Sequence, residues 1–278
     1  MKFFQAFFIL LFFCFSFYKA QELPKEIYYQ FSYHKNVEYK NDTITIRIEN
    51  PLFCPLRIRL FSDYLKGENF IDDTLKVMVN ENSFAEIKIF AKNIDVEKVK
   101  FNINQAFGDV HKVIKQNNLA LPFPRGKTYK IMQSNKGSFS HDDDYNKYAV
   151  DFDMKTGDTI TSADDGFVVG VIKDYEFGKD DKKWTPYSNF ITIYHPQSGL
   201  FTQYVHLKKN GSFVKVGDAV KRNQPIGLSG ATGFASGEHL HFNVLVPEKD
   251  KTLKSVPFSF ENNLSSKSLK KNMKVTNK

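Results

Sequence analysis

Apolar and polar residues alternate with a period of two through much of this chain. The clearest stretch is Thr43-Ile44-Thr45-Ile46-Arg47-Ile48, where every second side chain is an isoleucine. Successive strand residues point to opposite faces, so the pattern predicts a strand with one buried face. Further short runs rich in Ile, Val, Phe, Tyr and Thr lie at 27–33, 56–61, 74–79, 84–91 and 99–104. Lys40-Asn41-Asp42, Pro51 and Asn80-Glu81-Asn82 punctuate them as turns. Strands at this spacing predict a small β-sandwich-like accessory domain over 21–118.

A second set of strand-like runs follows at 149–152, 166–172, 189–194, 201–206, 224–228 and 239–246, separated by Gly and Asp turns. No long amphipathic helix interrupts them, so the predicted class is all-β throughout. Pro122, Pro124 and Gly126 suit a stiff linker over 119–129. The second domain is then expected at 130–247 and a tail at 248–278. Phe and Tyr are abundant and there is a single Trp, which fits a strand-rich chain.

Composition and charge change the picture at both ends. Lys2 is followed by an apolar run from Phe3 to Phe17, the length of a secretory h-region and short for a membrane span. Residues 1–20 are read as a signal peptide with Ala20 last, although Tyr18 suits the −3 position poorly. No later run is long and apolar enough to span a bilayer. Cys14 leaves with this segment, so Cys54 stands alone and no internal disulfide forms. The formal charge of +8 falls by two, to +6, when Lys2 and Lys19 are removed. From Glu248 onward eight Lys oppose three acidic residues, which places +5 in the tail. The body is near neutral, the tail reads as a solvated end, and no basic-and-aromatic groove points to nucleic acid.

Candidate chemistry lies in the second domain. In His239-Leu240-His241 the two imidazoles sit at i and i+2 and share a strand face. That spacing alone is a weak metal signal. The preceding stretch 227–237, Gly-Leu-Ser-Gly-Ala-Thr-Gly-Phe-Ala-Ser-Gly, is long for a plain hairpin and suits a shaped rim. His141 is followed by Asp142, Asp143 and Asp144, and then by Asp151 and Asp153, either of which could supply a carboxylate. His206 ends a strand-like run in which it is expected on the face of Thr202 and Tyr204. An open zinc site needs three such donors and leaves a fourth position for water.

Taken together these segments resemble the M23 (LytM or lysostaphin-like) peptidase family. The matching stretches are Ser140-His141, Tyr148-Ala149-Val150-Asp151-Phe152, Ala163-Asp164-Asp165-Gly166-Phe167-Val168, Tyr204-Val205-His206-Leu207, Val216-Gly217-Asp218-Ala219-Val220, Gln224-Pro225-Ile226-Gly227-Leu228-Ser229-Gly230 and Gly237-Glu238-His239-Leu240-His241-Phe242. The resemblance covers about 130–246 and leaves out the first domain and the tail. It implies an antiparallel-β catalytic domain with one Zn2+ per chain. By motif, His141, Asp151 and His241 are the implied metal ligands. His206 and His239 are the implied catalytic histidines that handle protons, with the division of labour between them open. Nine residues separate His141 from Asp151 where many members have three, which leaves Asp153 or one of Asp142 to Asp144 as a substitute ligand. Glu238 stands where a proline is common.

The resemblance implies an exported zinc endopeptidase acting on peptidoglycan peptide stems, in the periplasm, cell envelope or outside the cell. D-alanyl-diaminopimelate cross-links are the expected bonds. The alternatives are a catalytically silent module that activates another wall hydrolase, or a zinc peptidase acting on glycine-rich bridges or proteins. The accessory domain would be the place for a regulatory protein to bind.

Overall fold

The computed structural model describes residues 22–27, 33–115, 118–249 and 252–278. The predicted signal peptide lies outside the described residues. Among those described, no helix is long and apolar enough to cross a membrane. The architecture is all-β, with one five-residue α-helix at Asp63–Gly67 and a few 3-10 turns.

The accessory region is two three-stranded antiparallel sheets. In the first, Thr43–Asn50 lies between His34–Lys40 and Ser83–Phe90. Its isoleucines alternate as the pattern predicts: Ile44, Ile46 and Ile48 are buried and the residues between them are not. The expected strand at 27–33 falls largely outside the described residues, and the pairing strand is instead His34–Lys40. Asn41 and Asp42, both at positive φ, form the two-residue turn that joins it to Thr43. In the second sheet Leu56–Phe61 lies between Leu75–Val79 and Asn102–Phe107. Leu56, Ile58 and Leu60 face the same apolar cluster as the isoleucines of the first sheet, with Cys54 buried among them.

That cluster does not close on itself. It continues into Val169, Tyr194, Phe201, Leu245 and Leu253 of the second domain. Phe107 stacks on Phe201 at 6.0 Å and Phe53 on Phe167 at 4.6 Å. Arg57 ties the two halves: its guanidinium donates to the carbonyls of Phe107 and Gly108 on one side and of Glu248 and Thr252 on the other.

The second domain is built on a nine-stranded sheet. At its centre Leu200–Val205 lies between Phe190–His195 and Leu240–Pro247, and the latter pairs with Val150–Phe152. The strand Leu240–Pro247 is buried on both faces. Leu240, Phe242, Val244 and Val246 enter the domain's own core. On the opposite face Leu245 packs against the accessory cluster, and His241 lies four residues away on that same face. The accessory sheets therefore cover one end of the face whose other end carries the site.

Two boundary expectations are corrected. The stretch 119–129 is not a linker between domains: Leu119, Ala120 and Phe123 are fully buried and belong to the second domain. Ala120 N–H donates to Ala163 O, and Pro122 O accepts from Thr161 N–H. Nor is 248–278 a free tail. Leu253–Ser255 extends the sheet, Ser259–Phe260 runs parallel to Asn118–Leu119, and Lys274–Thr276 pairs with Thr128–Gln133. Phe258, Phe260, Leu269 and Val275 are core residues. Lys267, Lys270, Lys271 and Lys274 are exposed while the sparse apolar residues between them hold the segment down, a pattern that net charge conceals.

Candidate metal centre

Register brings the site together. Asp151 stands directly opposite His241 on the neighbouring strand, Gln133 opposite Asp151, and Val205 opposite His241. Directly opposed residues share a face, so the carboxylate and the imidazole point into one space. His141 arrives from a turn outside the sheet, where its N–H bonds to Gly137 O. The longer spacing to Asp151 is taken up by a loop pinned to the sheet. Asp143 caps the Asn146 N–H at 2.7 Å, Asn243 Nδ2 donates to Tyr145 O at 2.5 Å, and Tyr148 N–H donates to Ser255 Oγ at 3.0 Å.

His141 Nε2 lies 3.2 Å from Asp151 Oδ1 and 3.3 Å from His241 Nδ1, and that Nδ1 is 2.9 Å from the same carboxylate oxygen. Donors about 2.0–2.1 Å from a tetrahedral zinc stand about 3.3 Å apart, so this triangle matches one face of such a coordination shell. Two nitrogens and one carboxylate oxygen are also the donor types zinc takes. All three residues are buried, and they form the one such metal-holding group among the described residues.

The second polar atom of His141 and that of Asp151 are tied. A carbonyl oxygen only accepts, so His141 Nδ1, 2.9 Å from Ser134 O, carries the hydrogen and Nε2 keeps its lone pair for a metal. Gln133 Nε2 donates to Asp151 Oδ2 at 3.3 Å and to Ser140 Oγ at 2.9 Å. Burial alone would raise the Asp151 pKa, but the His141 and His241 imidazoles override it and hold the carboxyl well below its usual range. Burial lowers the pKa of His241, against the pull of Asp151. At His141 burial also pulls downward, but the Asp151 carboxylate outweighs it and raises the net value.

Asp153 is excluded as a substitute ligand: it is partly exposed and reaches Lys130 and Lys155 at 3.7 and 3.9 Å. Asp142 pairs with Lys182 at the surface, and Asp143 is spent on its own turn. Glu238 is exposed, accepts from the Thr156 N–H and faces Lys155 at 3.7 Å.

His206 and His239 complete the cluster, with ring centroids 4.5 Å apart, and His206 lies 5.9 Å from His241. Period-two reading puts His206 on the face of Tyr204, and the structure corrects this. The strand ends at Val205, and His206 adopts a left-handed φ of 67°. Tyr204 enters the core while His206 lines the cleft with Gln203, Val205 and His241. His206 Nδ1 lies 2.7 Å from Thr232 O, and His239 Nδ1 lies 2.9 Å from Gly237 O. Each Nδ1 therefore carries a hydrogen. Burial, with His239 and His241 beside it, pushes the pKa of His206 well below its ordinary value, so it is neutral at neutral pH.

The glycine-rich rim folds back on itself, with His239 N–H bonded to Gly230 O. Gly233 has a φ of 79°, and a side chain there would collide with Ser188. Gln133, Ser134 and Thr232, which orient the ligands and His206, carry no signal in the sequence because each acts through an ordinary amide, carbonyl or hydroxyl.

Residues 145–254 match the model of peptidase family M23. The match begins after His141, so the place of His141 in the site rests on geometry. An uncharacterized metalloprotease of Buchnera aphidicola subsp. Baizongia pistaciae is 32% identical over 215 residues, which cover 73% of this chain and 52% of that protein. The peptidoglycan DD-endopeptidase ShyB of Vibrio cholerae is 42% identical over 98 residues, 35% of this chain and 20% of that protein. The glycyl-glycine endopeptidase ALE-1 of Staphylococcus capitis is 39% identical over 100 residues, 35% of this chain and 24% of that protein. The chain thus spans about half the length of the first relative and a quarter or less of the other two.

Proposed function

The domain that carries this site belongs to peptidase family M23, a family of metallopeptidases, and from that premise we propose that the chain is an exported zinc endopeptidase of the cell wall. Its substrates are the peptide cross-links of peptidoglycan, with the D-alanyl-diaminopimelate bond preferred. The observation that carries the reading is the triangle of His141 Nε2, Asp151 Oδ1 and His241 Nδ1 beside two histidines with free Nε2 atoms.

Bound by that triangle, zinc supplies Lewis acidity at the scissile carbonyl and lowers the pKa of water toward about 7. His206 and His239 supply the proton traffic. Through Nε2 they take a proton from the attacking water and return it to the leaving amine. The Nδ1 bonds to Thr232 O and Gly237 O hold both rings in the tautomer this needs. The cleft beside them, about 490 Å³, admits an extended peptide.

A silent module would have lost one or more of these groups, whereas here all five residues converge. The likeness to ALE-1 supports a second bond class, glycine bridges. Mass spectrometry of muropeptides released from defined cell walls separates the two. Cleavage at D-alanyl-diaminopimelate cross-links is expected. Release from glycine-bridged walls alone would replace the substrate, and a zinc-loaded chain releasing nothing would overturn the enzymatic reading.

A further inference from the structure

One wall of the cleft already holds a piece of peptide. Residues 22–27 run without regular structure, and Glu22 to Glu26 are exposed. Ile27 differs: it is half-buried against Ile172, Tyr175, Trp184 and Tyr187. The Tyr175 hydroxyl accepts from the Ile27 N–H at 2.5 Å and donates to the Lys25 carbonyl at 3.3 Å. One hydroxyl thus satisfies the main chain on both sides of Glu26. Glu26 and Ile27 line the same cleft as His206 and His241.

The seat is rigid and connected to the site. Asn189 is fully buried; its Oδ1 accepts from the Tyr175 N–H at 3.0 Å and its Nδ2 donates to Tyr175 O at 2.7 Å. The Asn189 N–H donates to Thr232 Oγ1, and the carbonyl of that same Thr232 orients His206. The feature that reads the backbone is therefore two residues removed from the one that orients a proton-handling histidine.

Paired recognition of an N–H and a C=O around one residue, with an aliphatic side chain against aromatic rings, is how a protein holds an extended peptide of loosely specified sequence. We propose that Tyr175, Trp184 and Tyr187, packed behind Ile27 at the edge of the cleft, form a peptide-binding subsite for an extended segment with an aliphatic side chain. The chain's own Lys25–Ile27 is its resident occupant, and a substrate stem must displace it. That last role rests on the peptidase reading; the subsite itself does not. While the segment is seated, the apparent affinity for an incoming peptide falls by the fraction of empty sites.

Trp184 is the one Trp of the chain and reports directly on this seat. In the full-length, zinc-loaded protein, Ile27→Asp is expected to shift Trp184 emission to longer wavelength, with Ile27→Ala giving a smaller shift. The peptide acetyl-Lys-Glu-Ile-amide should reverse the shift in Ile27→Asp at a concentration that leaves the wild type unmoved. Tyr175→Phe placed on Ile27→Asp should weaken that titration about tenfold, or about 1.4 kcal/mol. On sacculi, Ile27→Asp should lower KM severalfold with kcat little changed. Unaltered Trp184 emission in both Ile27 variants, or failure of the peptide to bind Ile27→Asp, would overturn the subsite. If the wild type and the variants all leave sacculi intact while the titration behaves as expected, the peptidase reading fails and the subsite stands.

Discussion

His241 and Asp151 face each other across two neighbouring strands with Nδ1 2.9 Å from Oδ1, although 90 residues separate them in the chain. Their opposition is a matter of strand register, and a slip of one residue between the strands would put them on opposite faces. His241→Ala is accordingly expected to abolish zinc binding, measured as metal content after gel filtration. Gln133→Ala, which releases Asp151 Oδ2 and Ser140 Oγ but removes no ligand, should weaken zinc about 10- to 100-fold and leave the site buildable. Stoichiometric zinc in His241→Ala would remove that residue from the ligand set.

His206 stands apart from the ligands but within reach of what they hold. His206→Ala should retain zinc and lose about 10²- to 10⁴-fold in turnover on sacculi. Assayed turnover close to the wild-type value would leave proton transfer to other groups.

Acid should loosen the zinc-free fold in a defined order. His206 and His195 are buried, with pKa values pushed below the ordinary 6.5, chiefly by desolvation. Their native forms stay neutral while the unfolded chain takes up protons, so stability rises with pH and is lost as pH falls below about 6.5. The stability that Asp151 gains from its depressed pKa is retained until the pH falls below the usual carboxylate range of about 4. Melting temperatures of the zinc-free protein should drop between pH 7.5 and 5. Replacing His195, which is held between Asp165 O and Thr202 Oγ1, with Asn should flatten that slope. An unchanged slope in the variant would assign the effect elsewhere.

Arg57 joins the accessory sheets to the second domain through four backbone carbonyls. Arg57→Ala should cost about 2 kcal/mol in urea denaturation, the value of charged hydrogen bonds partly replaced by water. Equal midpoints for variant and wild type would show that the shared apolar cluster, with Phe107 on Phe201 and Phe53 on Phe167, holds the halves without it.

Ending the chain at residue 256 removes Phe258, Phe260, Leu269 and Val275 from the core. At about 1.5–3 kcal/mol each, that loss is comparable with the whole stability of an ordinary domain, and the truncated chain should not fold. A cooperative melt of the truncated protein would contradict this.

The strand content was legible in the residues themselves, and the family resemblance named the histidines and the aspartate that the structure brings together. Alternation at Thr43–Asn50 is a local signal, because burying one face of a strand requires it. The histidine and aspartate motifs were weak signals one by one and legible as a set, through their order along the chain. Tertiary structure alone decided between Asp151 and Asp153, since both share a period-two face and only strand pairing places one of them opposite His241. It also decided the direction of His206, through a left-handed backbone that no alternation pattern contains. The fate of the basic C-terminal segment was decided the same way. Its few apolar side chains outweigh its charge, because the core they enter is built in part by strands more than a hundred residues earlier. Local pattern determines what each segment can become, and long-range packing determines which face meets which.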